Sequence, residues 1–208
     1  EAEKVIQGST FLEPVAQTWE LDGTNWVART LPLEPAPRAH PLLVYDAVRR
    51  RVLLRAGDVR AGVLAPDTWA FDGAGWVKLD DAAAPPFERS SSAVWDATSQ
   101  RVTVFTPSAG VWTFDGQTWQ RVPPTVPGFA YGDASDLTWD SARGLVVAVG
   151  IGRASRVTET WEFDGTSWSQ RSSATAPPAR YSRKLAYDSA RRRVLAFGGD
   201  QSGSLNAP

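Results

Sequence analysis

The chain has 208 residues, 42% hydrophobic and 22% charged, with a formal net charge of −1. Such a length fits one globular domain or two small ones. The near-neutral charge argues against a general nucleic-acid or anionic-membrane binder, no apolar run is long enough for a membrane-spanning helix, and the absence of cysteine excludes disulfides, thiolate metal sites and a cysteine nucleophile. Methionine is absent too, position 1 included, so a processed or excised chain is expected.

Residues 1–16 form an N-terminal segment in which Lys4-Val5-Ile6-Gln7-Gly8 reads as a worn strand. From residue 17 onward two motifs alternate. The first, Trp-x-Phe/Leu-Asp-Gly-x-x-Trp, spans Trp19 to Trp26, Trp69 to Trp76, Trp112 to Trp119 and Trp161 to Trp168, and its aspartates are spaced 50, 43 and 49 residues apart. The second begins at Tyr45-Asp46, Trp95-Asp96, Trp139-Asp140 and Tyr187-Asp188, with a valine six residues beyond each Asp at Val52, Val102, Val146 and Val194. Two motifs recurring in phase mark a structural repeat.

Each motif reads as a hairpin. Asp-Gly favours a tight reversal, because Gly accepts positive φ and Asp bonds to nearby backbone. Trp-x-Phe alternates with period two, so both rings share one strand face. Each repeat therefore holds four strands, A to D. In the repeat at 31–80 they are expected near 39–45, 51–56, 68–72 and 75–79. Strand B is apolar on both faces, as in Val52-Leu53-Leu54, which fits a sheet covered on both sides. Further repeats are placed near 81–122 and 123–171.

These motifs resemble those of bacterial Kelch-repeat β-propellers, of the kind that forms the central domain of galactose oxidase. Pro177-Pro178-Ala179-Arg180, Tyr187-Asp188-Ser189-Ala190-Arg191 and Arg193 to Gly199 form the best first half of such a repeat. Asp67-Thr68-Trp69 with Phe71-Asp72-Gly73 matches the second half. The resemblance covers about 17–208. It implies an all-β propeller and an extracellular or cell-envelope location, and it leaves the activity open. The double glycine is intact only at Gly198-Gly199, and Pro41 and Arg183 stand where many family members carry histidine.

The strand count gives sixteen. The pair at 17–29 supplies C and D, and the pair at 172–199 supplies A and B. The expectation is a closed ring of four four-stranded blades with these two pairs in one shared blade. The alternative is an arc of a larger propeller, whose open edges would favour self-association.

Most of the conspicuous residues belong to the repeat. All ten tryptophans fall in the two motifs, so packing between blades explains them better than stacking on sugars. The recurrent aspartates flank turn glycines and read as turn caps. His40 is the only histidine, so no histidine-based zinc or copper centre is expected, and galactose-oxidase copper chemistry, which needs a Tyr–Cys link and paired histidines, is excluded. Arg38, Arg89 and Arg180 sit in a recurring proline-rich entry to strand A, with Pro-x-Arg intact at Pro178-Ala179-Arg180, and read as strand ties rather than a carboxylate cluster.

Residues that break the repeat are better candidates. Asp133 and Asp136 stand on strand A of the third full repeat, and Arg183 and Lys184 on the next strand A. A salt-bridge network between blades is the first explanation for these charges, and a ligand site the second. In a four-stranded meander the A–B and C–D turns share one face and the B–C and D–A connections the other. The second set varies in length and sequence, and function concentrates on such loops. The expectation is a non-enzymatic module binding a protein or glycan through Arg60, Tyr131, Asp133, Asp136, Arg153, Arg156, Arg183 and Lys184. Neither a catalytic residue nor a metal or cofactor is assigned. The alternatives are a hydrolase or lyase using a carboxylate at the channel mouth, Asp133 or Asp136, and a structural module of a larger secreted protein.

Overall fold

The computed structural model describes residues 16–60, 63–80, 83–88, 91–122, 128–129 and 135–200, and all regular structure among them is β-strand. The chain opens with a hairpin of β1 (Thr18–Leu21) and β2 (Trp26–Arg29). The first complete blade follows as β3 (Leu42–Asp46), β4 (Arg51–Arg55), β7 (Thr68–Phe71) and β8 (Trp76–Lys78), hydrogen-bonded in that order. Between β4 and β7 stands a small separate hairpin, β5 (Asp58–Arg60) and β6 (Val63–Leu64). The second blade is β9 (Ser92–Asp96), β10 (Arg101–Thr106), β11 (Gly110–Phe114) and β12 (Trp119–Arg121). The third is β13 (Ser135–Asp140), β14 (Leu145–Ile151), β15 (Thr158–Phe163) and β16 (Trp168–Arg171), and the last hairpin is β17 (Lys184–Asp188) and β18 (Arg193–Phe197).

Each complete blade is an antiparallel meander, and strands β3, β9, β13 and β17 neighbour one another in sequence order. This is the architecture of a β-propeller. Strand A of the first blade starts at Leu42 rather than near 39: Ala39 makes only an isolated bridge to Asp58, His40 turns to φ 53°, and Pro41 has no N–H to give a ladder.

Cores lie between blades. Leu53 and Ala70 of the first blade pack with Val102, Val104, Phe114 and Trp119 of the second. Phe105 and Val111 of the second pack with Val146, Ala148, Phe163 and Trp168 of the third. Within each C–D hairpin the motif places an aromatic pair: Phe71–Trp76, Phe114–Trp119 and Phe163–Trp168 have ring centroids 5.2, 4.7 and 5.1 Å apart. All eight motif aspartates accept backbone N–H bonds in their turns. Asp164 Oδ1, for instance, takes Thr166 N and Ser167 N at 2.8 Å, and Asp96 Oδ1 takes Thr98 N at 2.9 Å.

The shared blade expected from 17–29 and 172–199 does not form among the described residues. Strand β1 pairs with β2 and β17 with β18, in two separate sheets. Each hairpin is fastened to its neighbour in sequence instead. Trp76 Nε1 donates to Thr18 Oγ1 at 2.9 Å and Arg29 Nη2 to Gly73 O at 3.2 Å, whereas Asp136 Oδ2 accepts Leu185 N at 2.9 Å. Trp19 is consequently 48% exposed and its repeat partner Trp69 only 7%, so the two tryptophans are not equivalent as the motif alone suggests. The worn strand expected at 4–8 lies outside the described residues.

Candidate binding face

The B–C and D–A connections lie side by side on one face. Isolated bridges join Ala39 to Asp58, Phe129 to Gly152 and Tyr181 to Asp200, and the Glu88 carboxylate accepts from Ser108 N at 3.0 Å and from the Ser108 hydroxyl. The Asp-Gly turns form the opposite face. There the Asp side chains are consumed by turn N–H groups, which hold the Asp72 and Asp164 carboxyls below the usual range.

The candidate residues do not converge on one point. Arg60 ends β5 in the extra hairpin of the first blade. Arg153 and Arg156 sit in the β14–β15 connection. Arg153 N donates to Gly128 O at 2.6 Å and Arg156 N to Gly152 O at 2.9 Å, with Arg156 exposed at φ 59°. Asp136 is a tie between blades: its Oδ1 accepts Leu137 N at 3.0 Å and its Oδ2 accepts Leu185 N. In place of the salt bridge expected first for these charges, Asp136 joins the two blades through a backbone amide. Lys184 is exposed on β17, opposite Phe197. Tyr131, Asp133 and the Arg89 tie lie outside the described residues.

Arg183 is different. Its residue exposure is 6%, its Nη2 donates to Pro178 O at 2.7 Å, and its Nη1 is buried with no acceptor among the described residues. Burial, with the neighbouring Arg180 charge, pulls its guanidinium below the ordinary arginine range. Both arginines line a cleft of about 430 Å³ with Pro177, Pro178, Ala196, Gly198 and Gly199.

Arg180 departs from the strand-tie expectation. Its counterpart Arg38 does tie strands: Nη1 donates to Asp67 Oδ1 at 2.6 Å and to Ala56 O at 3.2 Å. Asp67 also accepts Trp69 Nε1 at 2.8 Å. Burial alone would raise the Asp67 pKa, but these two donors outweigh it and hold the carboxyl below its usual value. Arg180 makes no ion pair with any described residue. The signal for this in the sequence is the spacing of Asp67 to strand B, which has no described counterpart after β18. Among the described residues no group of three His, Asp or Glu is placed to hold a metal ion.

No protein-family model matches the chain, and no curated protein matches it. Among solved structures, YCF48 bound to D1 peptide is similar at 16% identity and a TM-score of 0.47, over 82% of this chain and 52% of that one. The chain thus spans about half the length of that protein. A fucose lectin from Kordia zhangzhouensis in complex with methyl-fucoside is similar at 16% identity and a TM-score of 0.36, over 59% of this chain and 92% of the lectin. The assignment as a propeller rests on the sheets themselves.

Proposed function

We propose that the chain is a binding module of Kelch-like repeats whose B–C/D–A face contacts a protein or glycan ligand. One observation carries this reading. The repeated motif aspartates are consumed by the scaffold in its turns, while the loop-face charges Arg153, Arg156, Arg183 and Lys184 follow no repeat. Arg153 on the third blade aligns with Val59 of the first, and Arg183 and Lys184, at the start of β17, align with Pro41 and Leu42. Such charges on a rigid frame supply orientation and selectivity for an anionic or hydrogen-bonding ligand.

The test is to probe glycan and peptide arrays with the labelled chain and to repeat the screen with Arg153→Ala/Arg156→Ala and with Asp164→Ala. The loop-face variant should lose the ligand and the turn-face variant should keep it. Binding lost only through Asp164→Ala would move the site to the Asp-Gly face and overturn the proposal.

A further inference from the structure

Strand B of every complete blade is covered by strand C. In the first blade Val52 pairs Phe71, Leu53 pairs Ala70, Leu54 pairs Trp69 and Arg55 pairs Thr68. Just beyond that ladder Ala56 N donates to Asp67 O at 2.9 Å while the Asp67 carboxylate takes Arg38. The second and third blades repeat the ladder, with Val104 opposite Trp112 and Ala148 opposite Trp161. Strand β18 has β17 on one side and no strand on the other among the described residues.

Three features of that open edge fit one kind of occupant. The first is charge: Arg180 holds the position of Arg38, which meets Asp67, and Arg183 lines the same cleft; neither has an acidic partner among the described residues, and Nη1 of Arg183 is buried and unsatisfied among them. The second is backbone. Gly198 and Gly199 take φ 75° and 90°, and a Cβ on Gly199 would stand 2.5 Å from Tyr181 O, as one on Gly57 would stand 2.9 Å from Ala39 O. The strand end is thus shaped like that of the complete blade. The third is a groove of about 320 Å³ between the third blade and β18, lined by the apolar Val147, Val149, Val194 and Ala196 and, beside them, by the Arg143–Glu162 ion pair. Val194 and Ala196 hold the positions of Val52 and Leu54, so in the ladder register the groove lies where Phe71 and Trp69 sit in the complete blade.

We infer that the free edge of β18 is a strand-addition site for an extended protein segment with the pattern acid-x-Trp-x-Phe, whose carboxylate is held by Arg180 and Arg183 and whose aromatic rings fill the groove against the third blade. Backbone pairing along β18 gives affinity, and the acid and the rings give selection. The chain's own N-terminal hairpin is a poorer occupant: the position of Asp67 is held there by the neutral Gln17, which leaves both arginines without a charge partner. This site shares Arg183 with the loop-face reading but uses neither Arg153 nor Arg156, so variants at those two positions separate the two readings.

The experiment titrates the full chain against dye-labelled peptides followed by fluorescence anisotropy. The probe is Pro-Asp-Thr-Trp-Ala-Phe-Asp-Gly, the sequence of residues 66–73, and the control carries Asn in place of its first Asp. The acidic peptide is expected to bind about tenfold tighter than the control, as loss of a charge-assisted pair implies. Arg180→Ala should remove that difference and Arg180→Lys should restore part of it. Arg153→Ala/Arg156→Ala should change neither titration, which separates this site from the loop face. Hydrogen exchange should slow at Val194–Phe197 when the acidic peptide is bound. Equal binding of the two peptides, protection elsewhere, or a self-associated chain that takes neither peptide overturns the inference.

Discussion

Replacing Asp67 by Asn tests the strand tie on which the blades depend. The Arg38 side chain is 4% exposed and that of Asp67 17%, so the pair is largely removed from water. The substitution removes the charge and turns an N–H₂ either toward Arg38 Nη1, which Oδ1 accepts in the wild type, or toward Arg38 Nη2 and Trp69 Nε1, which share Oδ2. Breaking one side of a buried ion pair costs about 3 kcal/mol, and the backbone acceptors Ala36 O and Ala56 O, which Arg38 retains, keep the cost at that lower end. Urea denaturation of the wild type, Asp67→Asn, Arg38→Met and the double variant measures it, and the cycle should show coupling above roughly 1 kcal/mol. The pH dependence has a definite sign. The folded pKa of Asp67 lies below its unfolded value, so its contribution is complete above an unfolded pKa of about 3.9 and is lost as pH falls through the folded pKa. Asp67→Asn should therefore flatten the acid limb of stability. A loss under about 0.5 kcal/mol, or an unchanged acid limb, would refute this account of the pair.

Two other perturbations address packing and backbone. Phe163→Ala, at 0% exposure against Trp168, should cost about 3–5 kcal/mol in the same assay, while Trp19→Ala, at 48% exposure, should cost well under half as much. Gly57→Ala places a methyl 2.9 Å from Ala39 O at φ 125° and should destabilise by more than about 1 kcal/mol, read as a lowered thermal midpoint.

The fold is legible in the sequence because its signals are local. Asp-Gly turns and Trp-x-Phe alternation act within ten residues, so the cap that Asp115 places on Gln117 and Thr118 can be read from the motif alone. The β5–β6 hairpin is not legible, since Val63–Leu64 is too short to show a period. Strand counting reaches sixteen but cannot say which hairpins meet. That depends on docking contacts such as Thr18 with Trp76, far apart in the chain. The role of Asp136 is hidden for the same reason, because its partner is the amide of Leu185, 49 residues away. Arg180 looks ordinary for the opposite reason: its motif is regular, and only the open edge of β18 makes it unusual.

The most direct test of the binding-module account is the hydrogen-exchange footprint of whichever array ligand the chain retains. Protection is expected at Ala39 and Asp58, at Gly152–Val157 and at Pro178–Lys184, where the two sets of connections meet. Protection confined to the turns at Asp72-Gly73, Asp115-Gly116 and Asp164-Gly165 would contradict the assignment of function to the loop face.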